Sequence, residues 1–142
     1  MRWKRYGCDT GFVMPLRCLV VDDNSSFREE TRRLLEQQGI EVVGGAGSGD
    51  EALQQIAEMR PDVVLIDIDL GGESGLALAR RLEVSAPHTV PRVILISLHD
   101  ENDYADLVEA SPAVGFVAKT ELSAAAINRM LGAVDDSDPD DD

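Results

Sequence analysis

The sequence has few of the residues that build several large classes of protein. Only two of its 142 residues are cysteine, too few for a disulfide framework, and Cys18 lies in an apolar run where we expect a reduced, buried thiol. Basic residues number 13 against 27 acidic ones, so a direct nucleic-acid interface is not expected. No apolar run is long enough for a membrane span, and residues 1–13 lack the apolar core of a secretory signal. These absences favour a cytoplasmic protein.

The charged residues divide the chain into a body and two ends. Six of the last eight residues are Asp, whereas the first 12 residues carry three bases and one acid. The remaining body holds 20 acids and 10 bases. We interpret residues 1–13 as a disordered leader, 14–134 as one domain and 135–142 as an acidic disordered tail.

Strand and helix patterns alternate along this domain. Short apolar runs predict strands at 17–21, 40–43, 63–67, 92–97 and 113–117. Capping boxes at Ser26–Glu29 and Ser48–Glu51 predict the starts of two helices, the first ending at Gly39, and three more helices are predicted at 76–84, 102–110 and 122–131. Five strand–helix units with short crossovers predict an α/β fold, a doubly wound five-stranded parallel sheet with five helices.

Polar residues stand where four of the predicted strands end. Asp22 and Asp23 follow the first strand, Asp67 ends the third, Ser97 ends the fourth and Lys119 follows the fifth. Each has an ordinary explanation alone, as a turn residue, a helix cap or a cover for the sheet edge. Together they predict one site, because the carboxyl ends of parallel strands meet at one edge. Two carboxylates about 4 Å apart repel by ~4 kcal/mol, so we expect a bound divalent metal.

The chain resembles the receiver domain of two-component response regulators over about residues 16–131. The matching pieces are 20–23 (Val-Val-Asp-Asp), 61–67 with Gly75 eight residues later, 94–97 (Ile-Leu-Ile-Ser) and 115–119 (Gly-Phe-Val-Ala-Lys). The resemblance implies a flavodoxin-like, three-layer fold. It also implies phosphoryl transfer to the chain from a sensor histidine kinase or a histidine phosphotransfer protein, and no turnover of small molecules.

By this resemblance Asp67 is the phosphoacceptor, and Asp22 and Asp23 hold the metal, Mg²⁺ or Mn²⁺, together with Asp67 and the backbone carbonyl of Asp69. Lys119 is the cation that contacts the phosphoryl group. A lysine ammonium and a divalent metal would both stabilise the charge that spreads over a phosphoryl group in transfer.

The resemblance also implies a switch. Ser97 contacts the phosphoryl group, and Phe116 fills the space that the serine leaves, preferring a buried position because its ring has no hydroxyl. This movement would alter a face formed by residues 102–131, which would bind a downstream protein or a second copy of the chain.

Three positions near the acceptor are expected to tune the rate of reaction. Leu98 follows Ser97 where a small residue is usual, and it would narrow access to Asp67. Asp69 and His99 flank the acceptor by analogy, and a pair between them would close the path of the hydrolytic water; the alternative is that both point to solvent. Thr120 follows Lys119 where the family usually has Pro, which leaves the geometry of that loop open.

Two short motifs match other families in part. Asp67-Ile68-Asp69 matches the Asp-x-Asp core of haloacid-dehalogenase-type phosphatases, but that family places it on the first strand and follows it with Thr or Val. The segment Gly44–Gly49 looks like a phosphate-binding loop, yet Asp50 and Glu51 follow it in place of Lys and Ser or Thr. We interpret it as a turn into a helix.

Two further alternatives concern the output. A receiver fold that is never phosphorylated would be an interaction module alone. The segment 119–123 is similar to receivers that precede a helix-turn-helix domain, so a fragment of a DNA-binding regulator stays open. We favour a stand-alone receiver, because an Asp-rich tail is a plausible natural end.

Overall fold

The computed structural model describes residues 15–85, 91–98 and 105–136. The predictions made for the leader 1–13, for His99 and for residues 137–142 lie outside these ranges.

Five strands form one parallel sheet. They are β1 (Arg17–Val21), β2 (Glu41–Ala46), β3 (Val63–Asp67), β4 (Arg92–Ser97) and β5 (Gly115–Ala118). Their order across the sheet is β2-β1-β3-β4-β5, and every neighbouring pair is parallel. All of β3, the central strand, is buried, as its continuous apolar run predicts. The predicted doubly wound parallel sheet is confirmed.

Helices cover both faces of the sheet. They are α1 (Ser25–Gln37), α2 (Gly49–Met59), α3 (Gly75–Ser85), α4 (Ala105–Glu109) and α5 (Ala124–Asp136), and a 3₁₀ turn at Lys119–Glu121 joins β5 to α5. Because alternate strand residues point to opposite faces, Leu19 and Ile66 pack with α2 and α3, whereas Cys18 and Leu65 pack with α1 and α5. Cys18 is buried and free, as predicted, and burial raises the pKa of its thiol to about 12. None of the helices in the described ranges is long and apolar enough to cross a membrane.

The first helix begins at a different cap from the predicted one. The Asn24 side chain accepts a hydrogen bond from the Phe27 amide at 3.1 Å, and α1 starts at Ser25, so the capping box at Ser26–Glu29 is wrong. Asn24 takes this position because its own amide donates to Asp22 Oδ1 at 2.8 Å, which fixes the chain just before the helix. The predicted helix start at Ser48 is confirmed, with Ser48 Oγ accepting from the Glu51 amide. The other half of the predicted box differs, because the Glu51 carboxylate accepts from the Gly47 amide and not from that of Ser48.

The second strand is longer than predicted. It continues through Gly44, Gly45 and Ala46, so the interpretation of Gly44–Gly49 as a turn is wrong for its first half. The pairing with β1 persists there after a register shift at Cys18/Leu19. A Cβ at Gly44 would overlap the side chain of Gln55, whose amide donates to the Gly45 carbonyl at 2.7 Å. Glycine therefore lets α2 lie close to this edge strand.

Other element ends differ by a few residues. The strand β5 begins at Gly115, two residues later than predicted, and ends at Ala118. The last helix begins at Ala124 and runs to Asp136, so the first two residues of the predicted tail 135–142 are helical. An existing helix extends easily, because each added residue gains one hydrogen bond without a new nucleus. Within the predicted helix 102–110, the described part is helical over Ala105–Glu109.

Candidate functional site

The carboxyl ends of four adjacent strands bring the predicted polar residues together. Asp22 follows β1, Asp67 ends β3, Ser97 ends β4 and Lys119 follows β5. Asp22, Asp67 and Ser97 are among the few buried polar residues in the described ranges, with exposed fractions of 0%, 6% and 2%. Asp23, next to Asp22, is exposed. The fold thus holds two carboxylates out of water and places a third at the rim.

Lys119 is the counter-ion of the buried acids. Its Nζ lies 2.6 Å from Asp22 Oδ2 and 3.0 Å from Asp67 Oδ2, and its side chain is 9% exposed. The ring of Phe27 on α1 lies below the same ammonium, 4.3 Å from Nζ to the ring centroid, which is cation–π distance. Phe27 was not among the site residues predicted from the sequence. Nothing in the local pattern indicated that its ring faces Lys119.

Backbone and side-chain donors fix the two buried carboxylates. The Asp69 amide donates to Asp67 Oδ1 at 3.0 Å, and the Asn24 amide donates to Asp22 Oδ1 at 2.8 Å. Arg28 Nη1 donates to the backbone carbonyl of Asp22 at 2.6 Å. Both carboxylates therefore keep their Oδ2 atoms directed at the ammonium of Lys119.

The charges of the site perturb one another. Burial raises the pKa of Asp67, and the nearby Asp22 charge adds to this, although the Asp69 amide and Lys119 act in the opposite direction. For Lys119, burial alone would lower the pKa, but pairing with Asp22 and Asp67 outweighs it and the pKa is raised. The site thus holds the ammonium firmly and tolerates the Asp67 charge poorly, so a further cation would be favoured.

The acids fit a small divalent metal. One oxygen each of Asp22, Asp23 and Asp67 can be chosen so that all lie within 4.8 Å of one another. Ligands of Mg²⁺ lie ~3.0 Å apart when adjacent and ~4.2 Å apart when opposite, since each bond is ~2.1 Å, so the three side chains would have to close in on the ion. Asp22 Oδ2 is close to Lys119 but lacks an aligned hydrogen-bond donor, and it is the only such buried side-chain oxygen or nitrogen in the described part of the chain. A metal would satisfy it.

Of the remaining predicted residues, one is a glycine packed on β3 and the others lie on or just after β3, β4 and β5. Gly75 lies so close to β3 that a Cβ there would overlap the carbonyl oxygen of Asp67, which explains glycine at this position. Phe116 is 6% exposed, and Leu98, directly after Ser97, is 73% exposed. Asp69 is exposed, and its Oδ1 accepts from the Gly71 amide at 3.1 Å. The peptide bonds in the described ranges are all trans, including Lys119–Thr120.

Comparison with known protein families identifies one match. The family described as the response regulator receiver domain matches residues 18–131, most of the chain. The part matched contains all the residues of the acidic cluster and Lys119.

Curated relatives and solved structures agree with this match. The chain is 36% identical over 105 residues to the response regulator GacA of Pseudomonas viridiflava, covering 73% of this chain and 48% of the relative. It is 39% identical over 109 residues to a protein-glutamate methylesterase/protein-glutamine glutaminase of Myxococcus xanthus, covering 75% of this chain and 31% of that protein. The chain therefore spans less than half the length of these two relatives.

One solved structure matches this chain over almost the whole of its own length. It is the signal receiver domain of the putative response regulator NarL from Mycobacterium tuberculosis, with a TM-score of 0.70 and 34% identity, over 83% of this chain and 98% of that one.

Proposed function

The chain belongs to the response regulator receiver domain family, and we propose that Asp67 is the residue through which it accepts a phosphoryl group. The observation that carries this proposal is the position of Asp67. It is a buried carboxylate at the end of the central strand, with Lys119 Nζ 3.0 Å from one oxygen and the Asp69 amide 3.0 Å from the other.

The transfer begins with a phosphohistidine of a histidine kinase or a phosphotransfer protein, from which receiver domains accept the phosphoryl group. An Asp67 oxygen attacks the phosphorus, an O–P bond forms, the N–P bond breaks and the imidazole of the donor leaves. Lys119 already lies beside the attacking carboxylate and moves its charge to the phosphoryl oxygens as they arrive. Asp22, Asp23, Asp67 and the Asp69 carbonyl would hold Mg²⁺, which supplies further charge neutralisation when bound.

Ser97 and Phe116 then carry the signal to the surface. Ser97 ends β4, and Phe116 lies on the neighbouring strand β5, where it pairs in register with Leu95 of β4. We propose that the Ser97 hydroxyl moves to the phosphoryl group and that the Phe116 ring takes the space it leaves. This would change the face formed by residues 105–131 of the described chain, where a downstream protein or a second copy of the chain would bind. We propose that the chain does not contact nucleic acid directly.

The lifetime of the phosphoryl group is a separate proposal. Leu98 is largely exposed beside Ser97, so an apolar side chain stands at the rim of the site. We propose that it hinders the hydrolytic water, and that Asp69 and His99 also tune this rate. Leu98→Ala should then shorten the lifetime about threefold to tenfold, equivalent to about 1 kcal/mol of barrier.

Labelling with acetyl phosphate and Mg²⁺ tests the assignment of the acceptor. Intact mass should show one added phosphoryl group, stable in acid and labile in base, which Asp67→Asn abolishes. Asp62→Asn is the matched control, since it removes an exposed carboxylate just before the other end of the same strand, keeps an acceptor for the Arg17 amide and should leave labelling intact.

Other results would favour the alternatives. A phosphatase with an Asp-x-Asp centre would need Asp69 and would hydrolyse a small phosphate ester. We propose that this chain does not hydrolyse such esters. Equal labelling of wild type and Asp67→Asn would overturn the assignment. No labelling of the wild type would favour an interaction module alone.

A further inference from the structure

The glycine-rich segment before α2 contacts carboxylates of the chain itself. The Gly47 amide donates to Glu51 Oε1 at 2.7 Å, and the Gly49 amide donates to Glu73 Oε1 at 2.9 Å. Helix N-termini favour negative charge because their first amides lack partners within the helix. Glu51 belongs to α2, but Glu73 comes from the loop that follows the acceptor Asp67.

Glu73 is held at both of its oxygens. While Oε1 accepts from Gly49, Oε2 lies 3.2 Å from Arg81 Nη1 on α3, and Arg81 also pairs with Asp50 of α2 at 3.1 Å. A Cβ at Gly49 would lie 2.5 Å from Glu73 Oε2. A side chain at position 49 would therefore push this carboxylate away from the Gly49 amide.

The loop that carries Glu73 is closed on itself and lies against the acids. The Leu70 amide donates to the Glu73 carbonyl at 3.0 Å, and Asp69 and Ser74 form an antiparallel bridge. At Gly71 the backbone has φ 78°, and a Cβ there would lie 2.8 Å from Asp23 Oδ2. A displacement of Glu73 would therefore be transmitted through these backbone contacts to Asp69 and to the segment beside Asp23.

We propose that Glu73 is a positioning residue, which ties the loop after Asp67 to the N-terminus of α2 and so holds the Asp69 carbonyl in place for the metal. This inference rests on the proposed metal site. The wild-type loop would be preorganised for the metal, whereas a loop released from α2 would have to be ordered when the metal binds.

The test is Mg²⁺ binding, measured by calorimetry and by the rise in melting temperature with added Mg²⁺, both without phosphorylation. Glu73→Ala should weaken binding about tenfold, the lower end for residues that orient metal ligands, because Glu73 is partly exposed. Gly49→Ala should act in the same direction, because the added methyl displaces the carboxylate and leaves every charge present. Glu73→Gln keeps an acceptor for the Gly49 amide and should stay within about threefold of wild type.

Glu51→Ala is the matched control. It removes the other carboxylate at the same helix end, so it should lower the melting temperature and leave the Mg²⁺ affinity unchanged.

Each result has a distinct meaning. If the wild type does not bind Mg²⁺, the proposed metal site fails. If the wild type binds and Glu73→Ala or Gly49→Ala binds equally well, the positioning role is overturned. It is also overturned if Glu73→Gln is as weak as Glu73→Ala, since loss of charge alone would then explain the effect.

Discussion

Replacing Asp67 with Asn should stabilise the metal-free protein at neutral pH, although it removes the proposed acceptor. Lys119 Nζ at 3.0 Å attracts the Asp67 charge by about 5 kcal/mol at an effective dielectric of 20. Asp22 and Asp23, each with an oxygen within 4.8 Å, repel it by about 3 kcal/mol apiece or more, and solvent screens the exposed Asp23. The pairwise terms nearly cancel, so the cost of burying the Asp67 charge decides the sign. We expect a gain of about 1–2 kcal/mol, or ~3–8 °C in melting temperature.

The stability that Asp67→Asn gains over wild type should increase with pH. Burial raises the pKa of Asp67 above its usual value of 3.8, so the native state favours the protonated carboxyl. The stability that this protonation contributes is fully present below the pKa of the unfolded chain and is lost as pH rises through the folded pKa. The advantage of Asp67→Asn over wild type should therefore be small near pH 4 and should grow toward pH 7.

Urea unfolding of both proteins at several pH values, with a chelator present, measures this difference. Subtracting the unfolding free energy of one protein from that of the other at each pH removes the contribution of the carboxylates that both proteins share. Asp69→Asn, an exposed change in the same loop, should show no such pH-dependent gain. The reasoning is refuted if Asp67→Asn is less stable than wild type at pH 7, or if its advantage is equally large at pH 4.

Three other predictions concern the charge balance, a cap and the tail. Lys119→Met leaves the acids without a counter-ion and should cost about 3 kcal/mol in urea unfolding with chelator, with partial recovery when Mg²⁺ is added; equal loss with and without Mg²⁺ would contradict this. Asn24→Ala should cost about 1 kcal/mol and Ser26→Ala almost nothing, because Asn24 is the cap of α1; a larger loss for Ser26→Ala would reverse the assignment. A chain truncated after Asp136 should melt within about 3 °C of the full chain, because residues 137–142 are four Asp, one Ser and one Pro and offer almost no apolar surface to bury, and a larger fall would show that they pack.

The central strands were predictable because they are buried on both faces. Their apolar runs end where a polar residue reaches the sheet edge, so the bounds of β1, β3 and β4 agree with the structure to the residue. The edge strand β2 was predicted too short, because Gly44 and Gly45 carry no side chain to show periodicity. Their extended conformation depends on pairing with β1 and on contact with Gln55, neither of which is local in sequence.

The site was predictable for a similar reason. The rule that parallel strands end at one edge places Asp22, Asp67, Ser97 and Lys119 together without knowledge of any loop. The contacts of Phe27 and Glu73 could not be predicted in this way. Phe27 reaches Lys119 only through the rotation of α1 about its axis, and Glu73 reaches Gly49 only through the conformation of a seven-residue loop, 68–74.

A count of charges links metal binding to phosphorylation. With Asp22, Asp23 and Asp67 ionised and Lys119 protonated, the site has a net charge of −2, which Mg²⁺ would bring to zero. Phosphorylation replaces one carboxylate charge with a phosphoryl group of about −2, so the phosphorylated site again has an excess of negative charge. The phosphorylated protein should therefore bind Mg²⁺ more tightly than the unphosphorylated one. By thermodynamic linkage, Mg²⁺ must then favour the phosphorylated state by the same factor.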